Sequence, residues 1–199
     1  MSTILVVGLV FIVGIFLFIG YLISIYNGII RLANIYKNSF SQIDVQLQRR
    51  FELIPNLVET AKKYMEHEKE TLEAVILARN QAHSAAQALK ADPSNAGAAK
   101  TFNKTEGALG ASMGSFMALF ENYPDLKANE NMKALMEELT STENKVSFSR
   151  QNYNDSVMTY NIGIQQFPQS IIANMFQYRD VPQLEVEDVK MREAVKVQF

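Results

Sequence analysis

The segment at residues 46–60, QLQRRFELIPNLVET, decides how the fold of this chain is built. It lies within a long helical pattern, yet it carries two adjacent arginines, the second of them Arg50, and a proline, Pro55, inside an apolar cluster. The apolar residues on both sides of Pro55 recur every three or four positions without a change of phase, which indicates one amphipathic helix. Because proline removes the amide that would bond the Phe51 carbonyl, we expect a bend there. A turn at Ile54 is the alternative, since residues before proline disfavour the α region.

The same apolar stripe continues in both directions from this segment. It predicts one helix from residue 27 to about residue 90, about 95 Å long at 1.5 Å per residue. Shorter helices that fold back on it would leave its first part uncovered, and an exposed apolar stripe usually marks an interface. The pattern therefore predicts a self-associating stalk, unless the bundle covers these residues within one chain. The stalk stripe comprises Ala33, Tyr36, Phe40, Ile43 and Leu47.

Residues 4–26, ILVVGLVFIVGIFLFIGYLISIY, carry no charged side chain. The run is long enough to cross about 30 Å of hydrocarbon as a helix. It lacks the positive n-region and the shorter apolar core of a secretory signal peptide, so it predicts a retained single-pass anchor in contact with membrane lipid. Basic residues follow the run and none precedes it. The positive-inside bias therefore predicts an outside N-terminus and a cytoplasmic bundle.

Composition excludes several classes of function. The 199 residues include 19 basic and 21 acidic side chains and no cysteine. This balance gives no reason to expect nucleic acid, whose binding needs a basic stripe, and the lack of cysteine excludes disulfides, thiolate metal sites and thiol nucleophiles together. A two-metal carboxylate bundle needs paired Glu-x-x-His motifs, but Tyr64 and Asn80 stand three residues before His67 and His83. We therefore predict no metal, no cofactor and no catalytic residue.

Breaker residues divide the remaining chain into helices. ADPSNAG at 91–97 separates the first helix from a second at about 98–122, and NYPDLKAN leads into a third that runs to about residue 167. Pro168 interrupts the pattern before a short helix in QSIIANMF. The predicted fold is all-α, with a transmembrane helix (1–26) continuing into a long up-and-down bundle of three to four helices (27–177). An irregular or extended tail follows (178–199).

Small residues mark one face of the second helix. Gly107, Gly110 and Gly114 recur at helical spacing. Each glycine costs about 1 kcal/mol of helix stability relative to alanine. We therefore expect a neighbouring helix to approach closely along this face.

Charged residues occupy positions in the apolar stripes where apolar residues belong. They are Glu68 and Arg79 in the first helix, Glu106 in the second, and Glu143 and Arg150 in the third. Because unpaired buried charges are costly, we expect Glu143 and Arg150 to be buried and paired, with Glu68 and Arg79 as the leading partners. An acid/base site is the alternative, but no recognisable nucleophile accompanies these residues.

Asparagines recur on one side of the third helix. Asn154 and Asn161 lie two turns apart, on the same side as Arg150. Buried amides can fix the register of packed helices, and this is the role we predict for them. A polar ligand-binding groove is the alternative.

These motifs together resemble the bacterial LemA family. The resemblance rests on IDVQLQRRFELIPNLVETAKKY (43–64), ENYPDLKAN (121–129) and TENKVSFSRQNYNDSVMTYN (142–161), and it covers nearly the whole chain. It implies a bacterial, membrane-anchored helical bundle, mostly cytoplasmic, and it implies no catalytic activity. The positions it makes prominent are Arg50, Pro55, Asn56, Glu68, Arg79, Glu143, Arg150 and Asn154.

The sequence favours a self-assembling, non-enzymatic scaffold in the bacterial cytoplasmic (inner) membrane, which forms a homo-oligomer. The alternative is a membrane-tethered adaptor or sensor whose bundle binds a protein or a small ligand. Neither hypothesis identifies the protein partner.

Overall fold

The computed structural model describes residues 2–185, and every regular element in that range is a helix. The all-α class predicted from the sequence is therefore confirmed. In chain order the helices are α1 (Ser2–Lys62), α2 (Lys69–Ala91), α3 (Ala96–Phe120), α4 (Pro124–Ala128), α5 (Glu130–Gln165) and α6 (Gln169–Met175). The N-terminal part of α1 is exposed, apolar and long enough to span a membrane.

Helix α1 runs through Pro55 without interruption. The predicted continuity across the proline is confirmed, and the alternative turn at Ile54 is wrong. The helix nevertheless ends at Lys62, so the predicted helix from 27 to about 90 is wrong. The amides of Tyr64 and Met65 both bond the Ala61 carbonyl, at 2.9 and 3.0 Å, and the chain then turns back into α2.

The turn at 63–68 contains neither glycine nor proline, which is why the sequence pattern does not reveal it. Its Met65 side chain is completely buried. Because α1 and α2 face the same core, their apolar stripes read as one continuous helix. Tertiary packing of Met65, rather than a local breaker, accompanies the turn.

Helix α5 covers the part of α1 that follows the uncharged run 4–26. The two helices are antiparallel, because the Tyr36 and Tyr160 rings lie 4.9 Å apart and the Phe40 and Tyr153 rings 5.6 Å apart. All five residues of the predicted stalk stripe are buried, with exposures of 8% or less. The expected uncovered stalk is therefore wrong, since the break after Lys62 brings a long fifth helix down beside α1.

Helices α2 and α3 complete the part of the bundle farthest from the N-terminal apolar run. Lys90 at the end of α2 bonds Asp44 of α1 at 2.7 Å, which sets α2 antiparallel to α1. Asn95 caps α3 through the amide of Ala98, and Asn129 caps α5. Helix α3 packs on α2, and α5 packs on α1. Over the described residues, α3 and α5 make few close backbone contacts, and an open groove lies between them.

An extended arm follows α6 and runs back along α5. Residues 178–185 have no regular secondary structure. Val181 and Leu184 of this arm are nevertheless buried, with exposures of 3% and 1%. The arm matches the extended tail predicted from residue 178, and the remainder of that predicted tail, 186–199, lies outside the described residues.

Candidate functional site

A cluster of four charged side chains lies where α1, α3 and α5 meet. Arg50 of α1 donates to Glu106 of α3 and, at 3.3 Å, to Glu143 of α5. Arg150 of α5 donates to the other carboxylate oxygen of Glu106 at 3.3 Å. The side chains of Arg50 and Glu106 are only 6% and 8% exposed. Glu106 is thus a buried carboxylate held between two guanidinium groups.

Burial and neighbouring charges shift the pKa values of the two arginines in the cluster. Burial lowers the pKa of Arg50, but the neighbouring carboxylates of Glu106 and Glu143 outweigh it, so the pKa is raised overall. Burial also lowers the pKa of Arg150; Glu106 opposes this effect and the charge of Arg50 adds to it. Both guanidinium groups stay charged, because arginine starts so far above neutrality. The two arginines and the two glutamates of the cluster balance one another in formal charge.

The predicted pairing of the stripe charges is partly wrong. Arg150 is largely buried and paired, as expected, but Glu143 is 47% exposed and its partner is Arg50. Glu68 lies before α2 and accepts a hydrogen bond from Tyr123 at 3.1 Å. Sequence reasoning missed the pairing because it placed Glu68 and Arg79 on one long helix together with Arg50.

Arg79 instead compensates for the proline in α1. Its Nε donates to the carbonyl of Phe51 at 2.8 Å. That carbonyl is the one whose helical partner would have been the amide of residue 55, which proline lacks. Arg79 also stacks over the Phe51 ring, 5.7 Å from its centroid. Pro55 and Arg79, which the sequence marked separately, are therefore linked: Arg79 supplies the hydrogen bond that Pro55 cannot donate.

The arginine cluster forms one end of an open groove between α3 and α5. The groove encloses about 400 Å³. Its walls are mainly apolar and rich in methionine, and its residues include Leu109, Met113, Met117, Met136 and Leu139. The Nε atoms of Arg50 and Arg150 are buried without a hydrogen-bond partner among the described residues. The groove therefore offers an apolar surface with charged side chains at one end.

The glycines of α3 border open space rather than a neighbouring helix. A Cβ atom added at Gly107, Gly110 or Gly114 would meet nothing within 4 Å. The predicted close approach of a helix along this face is therefore wrong. Gly110 lines the groove directly, so the missing side chain widens it.

Two asparagines of α5 hold the extended arm by its backbone. Asn161 exchanges two hydrogen bonds with Val181, both 2.9 Å long. Asn154 does the same with Leu184, at 3.0 and 2.9 Å. The side-chain amide of Asn103 in α3, oriented with its nitrogen toward the Glu185 carbonyl and its oxygen toward the Glu185 amide, forms two hydrogen bonds of 3.2 Å with that residue. These contacts recognise an extended polypeptide without reference to its side chains.

The asparagines fix the register of an extended segment rather than that of two helices. Their separation of two helical turns places both on one side of α5, and this was the sequence signal that they act together. Arg150 lies one turn beyond Asn154 and lines both the hollow beside Leu184 and the groove. The groove therefore adjoins the track that the arm follows.

The remaining predicted positions lie away from this site. Asn56 is exposed on α1, and its carbonyl accepts a bond from Thr60 at 2.9 Å. Within residues 2–185, no three His, Asp or Glu side chains come together as a metal site.

These features define a class: an all-helical bundle built on one helix long enough to span a membrane, with an open groove on one side. Comparison with known proteins places it more closely. A family model described as "LemA family" matches residues 39–199. The chain therefore belongs to the LemA family.

The chain is also similar to magnetosome proteins. It is 26% identical over 181 residues to "Magnetosome protein MamQ" of Magnetospirillum gryphiswaldense, covering 82% of this chain and 66% of that protein. It is 26% identical over 171 residues to MamQ 2 and MamQ 1 of Paramagnetospirillum magneticum, covering 78% of this chain and 63% of each relative. The chain spans about two thirds of the length of these relatives.

Proposed function

We propose that this protein is a non-catalytic binding protein, anchored in the bacterial cytoplasmic membrane by residues 4–26. Its groove between α3 and α5 binds an apolar segment of a partner polypeptide. The proposal joins the scaffold and adaptor hypotheses: the anchor holds the bundle at the membrane and the groove holds the partner.

The open groove is the observation that carries this proposal. A closed bundle would bury its apolar walls between α3 and α5, yet Met113, Met117 and Met136 remain partly accessible. Methionine is flexible and polarisable, and it is common on surfaces that adapt to different partners. A partner helix or strand laid in such a groove completes the packing that the bundle lacks.

The arm indicates why the ligand is a polypeptide. Asn154, Asn161 and Tyr153 already bind the backbone of a chain segment on the same track, Tyr153 by donating to the Pro182 carbonyl at 3.5 Å. Arg150 lines both the groove and the hollow beside Leu184, so the groove lies next to this segment. Arg150 and Glu143, which line the groove, supply polar groups for the backbone of such a segment.

Site-specific photo-crosslinking tests the proposal. A photoreactive benzoylphenylalanine replaces Met113 in the groove or Lys104, an exposed residue of α3 that does not line it. We expect a discrete crosslinked product from position 113 and none from position 104. Gly110→Leu should abolish the product, because the new side chain enters open space in the groove without disturbing the bundle. Ala108→Leu, an exposed position outside the groove on the same helix, should preserve it.

The design separates blocked binding from unfolding. Gly110→Leu removes a glycine from a helix, so the bundle should be at least as stable as before. Equal crosslinking from positions 104 and 113, or a product that survives Gly110→Leu, would contradict the groove as the binding site.

Self-assembly is the second candidate function. Outside the N-terminal apolar segment and the α6 region, the exposed large apolar side chains include Phe148 on α5, at 74%, and Val45 on α1, at 62%. A crosslinked product with twice the mass of the chain would identify another copy as the occupant of the groove. A detergent-solubilised monomer that gives a heterologous product would favour the adaptor.

The proposed orientation places the N-terminus outside and the bundle in the cytoplasm. It follows from the basic residues that flank only the C-terminal side of residues 4–26. The absence of cysteine permits Ser2→Cys and Phe199→Cys variants to be labelled in intact cells with a membrane-impermeant reagent. We expect only the Ser2→Cys variant to react. Labelling of Phe199→Cys alone would reverse the orientation.

A further inference from the structure

The short helix α6 and the residues that flank it expose several large apolar side chains. Ile172 and Ala173 point inward and are buried. On the outer side, Phe167 is 81% exposed, Ile171 58%, Met175 65% and Phe176 52%. A helix on the surface of a soluble bundle carries polar residues on its outer face. The four residues form one exposed apolar patch, which we call the α6 patch.

The position of α6 along α1 is set by aromatic contacts. The rings of Phe176 and Tyr26 lie 4.6 Å apart, and those of Tyr178 and Tyr26 lie 6.5 Å apart. Tyr26 is the last residue of the uncharged run 4–26. The hydrocarbon core takes about 20 residues of a helix, so Tyr26 and α6 lie at the level of the lipid headgroups. Tyrosine is enriched at that level in membrane proteins.

The lack of charged side chains around α6 is a second observation that suits a position at the level of the lipid headgroups. Residues 156–178, which include the end of α5 and all of α6, contain no charged side chain. On α1 the first charged residue is Arg31. Gly163 of α5 lies opposite Leu32, where an added Cβ would be 2.5 Å from Cδ1. Ser156, where the uncharged stretch of α5 begins, bonds Ser39 at 3.0 Å, so this stretch extends past the level of Arg31 on the side away from residues 4–26. The part nearest residues 4–26, around α6, carries no charged side chain, as contact with lipid requires.

We propose that the α6 patch inserts into the interfacial region of the lipid bilayer, beside the anchor. The occupant of this surface is lipid, because the patch is continuous with the exposed apolar surface of α1. The bundle is then attached at two points, α1 through the membrane and α6 upon it. This contact fixes the tilt of the bundle, and with it the direction in which the groove faces. The inference rests on the proposed anchor.

Single-tryptophan quenching tests the insertion of the α6 patch. The sequence contains no tryptophan, so Phe167→Trp gives the full chain one fluorescent reporter in the patch. The protein is reconstituted in phosphatidylcholine vesicles whose acyl chains are brominated either near the headgroup or near the terminal methyl. We expect Phe167→Trp to lose most of its fluorescence to shallow bromines and less to deep ones. Met175→Trp, a second exposed patch position, should behave in the same way.

Phe148→Trp is the matched control. Phe148 is also a highly exposed phenylalanine, at 74%. It lies between the levels of Phe40 and Arg50 on α1, roughly 30 Å beyond Tyr26 at 1.5 Å per residue. We expect neither brominated lipid to quench it. Quenching of Phe148→Trp equal to that of Phe167→Trp would show non-specific adsorption and overturn the inference.

Phe11→Trp distinguishes failure of the inference from failure of the anchor. Phe11 is exposed in the middle of the apolar run, so deep bromines should quench it. If Phe11→Trp is quenched while Phe167→Trp and Met175→Trp are not, the anchor stands and the α6 inference is wrong. If the two patch variants are quenched and Phe11→Trp is not, the lipid contact stands and the anchor is wrong. If none is quenched, both are wrong.

Discussion

Replacing Glu106 by glutamine tests the charge cluster most directly, because this carboxylate joins two buried cations. The substitution keeps the size of the side chain and removes its charge. Arg50 is then left with Glu143, which is 47% exposed, and Arg150 loses the ion pair that it forms among the described residues. Removing one partner of a buried ion pair costs about 3–5 kcal/mol, since the remaining charge is stranded in a poorly solvated site.

The matched control is Glu143→Gln, which makes the same chemical change at the solvated edge of the cluster. Arg50 retains its buried bond to Glu106 in this variant. A half-exposed ion pair contributes about 0–1 kcal/mol to the free energy of unfolding. The cluster thus predicts a large effect at Glu106 and a small one at Glu143, although the sequence alone predicts a large effect at Glu143.

Thermal unfolding of the full chain in detergent micelles, followed by the helical circular dichroism signal, measures the difference. For a chain of this size, 1 kcal/mol shifts Tm by about 2–4 °C. We therefore expect Glu106→Gln to lower Tm by roughly 6–20 °C and Glu143→Gln by about 4 °C or less. Adding Arg150→Met to Glu106→Gln should restore part of the loss, because one stranded cation is removed. A Glu106→Gln shift no larger than that of Glu143→Gln would refute the reasoning.

Three further predictions concern the other contacts. Arg79→Met should cost about 1–3 kcal/mol by leaving a buried carbonyl unpaired, and less in a Pro55→Ala background, where the helix regains its amide; a double-mutant cycle by urea unfolding measures the coupling. Asn154→Ala should free the arm, so that the Leu184 amide exchanges its hydrogen faster, as measured by NMR. Burial, followed by the charges of neighbouring groups, raises the pKa of Tyr160 to about 12. Because an unfolded tyrosine ionises near pH 10, its stabilising contribution is complete below pH 10 and is lost towards pH 12; Tyr160→Phe should flatten this alkaline loss of stability.

Each of these predictions has an outcome that contradicts it. Equal costs of Arg79→Met in both backgrounds would mean that Arg79 does not replace the amide that Pro55 lacks. An unchanged rate of hydrogen exchange at the Leu184 amide in Asn154→Ala would mean that other residues hold the arm. An alkaline stability profile identical in Tyr160→Phe and the unmodified chain would show that another group dominates the titration.

Local sequence signals were sufficient where the physical cause is itself local. The apolar run 4–26 marks a possible membrane span by its length and lack of charge. The apolar spacing across Pro55 indicated a continuous helix, because a helix can accommodate proline by bending. Residues 91–97 and Pro168 separate helices since their backbone preferences act within a few residues. The spacing of Asn154 and Asn161 indicated that both fix a register, although it did not indicate that they bind the extended arm.

What only the tertiary structure decided is how these helices meet. No local breaker marks the turn at 63–68, where a completely buried Met65 and the packing of α2 on α1 accompany the reversal. That reversal covers the predicted stalk with α5 and gives Arg50 and Arg150 the partners Glu106 and Glu143. It also leaves Gly110 facing open space. Ion pairs, covered stripes and grooves depend on which distant residues are brought together, and this is a property of packing that the period of one helix does not contain.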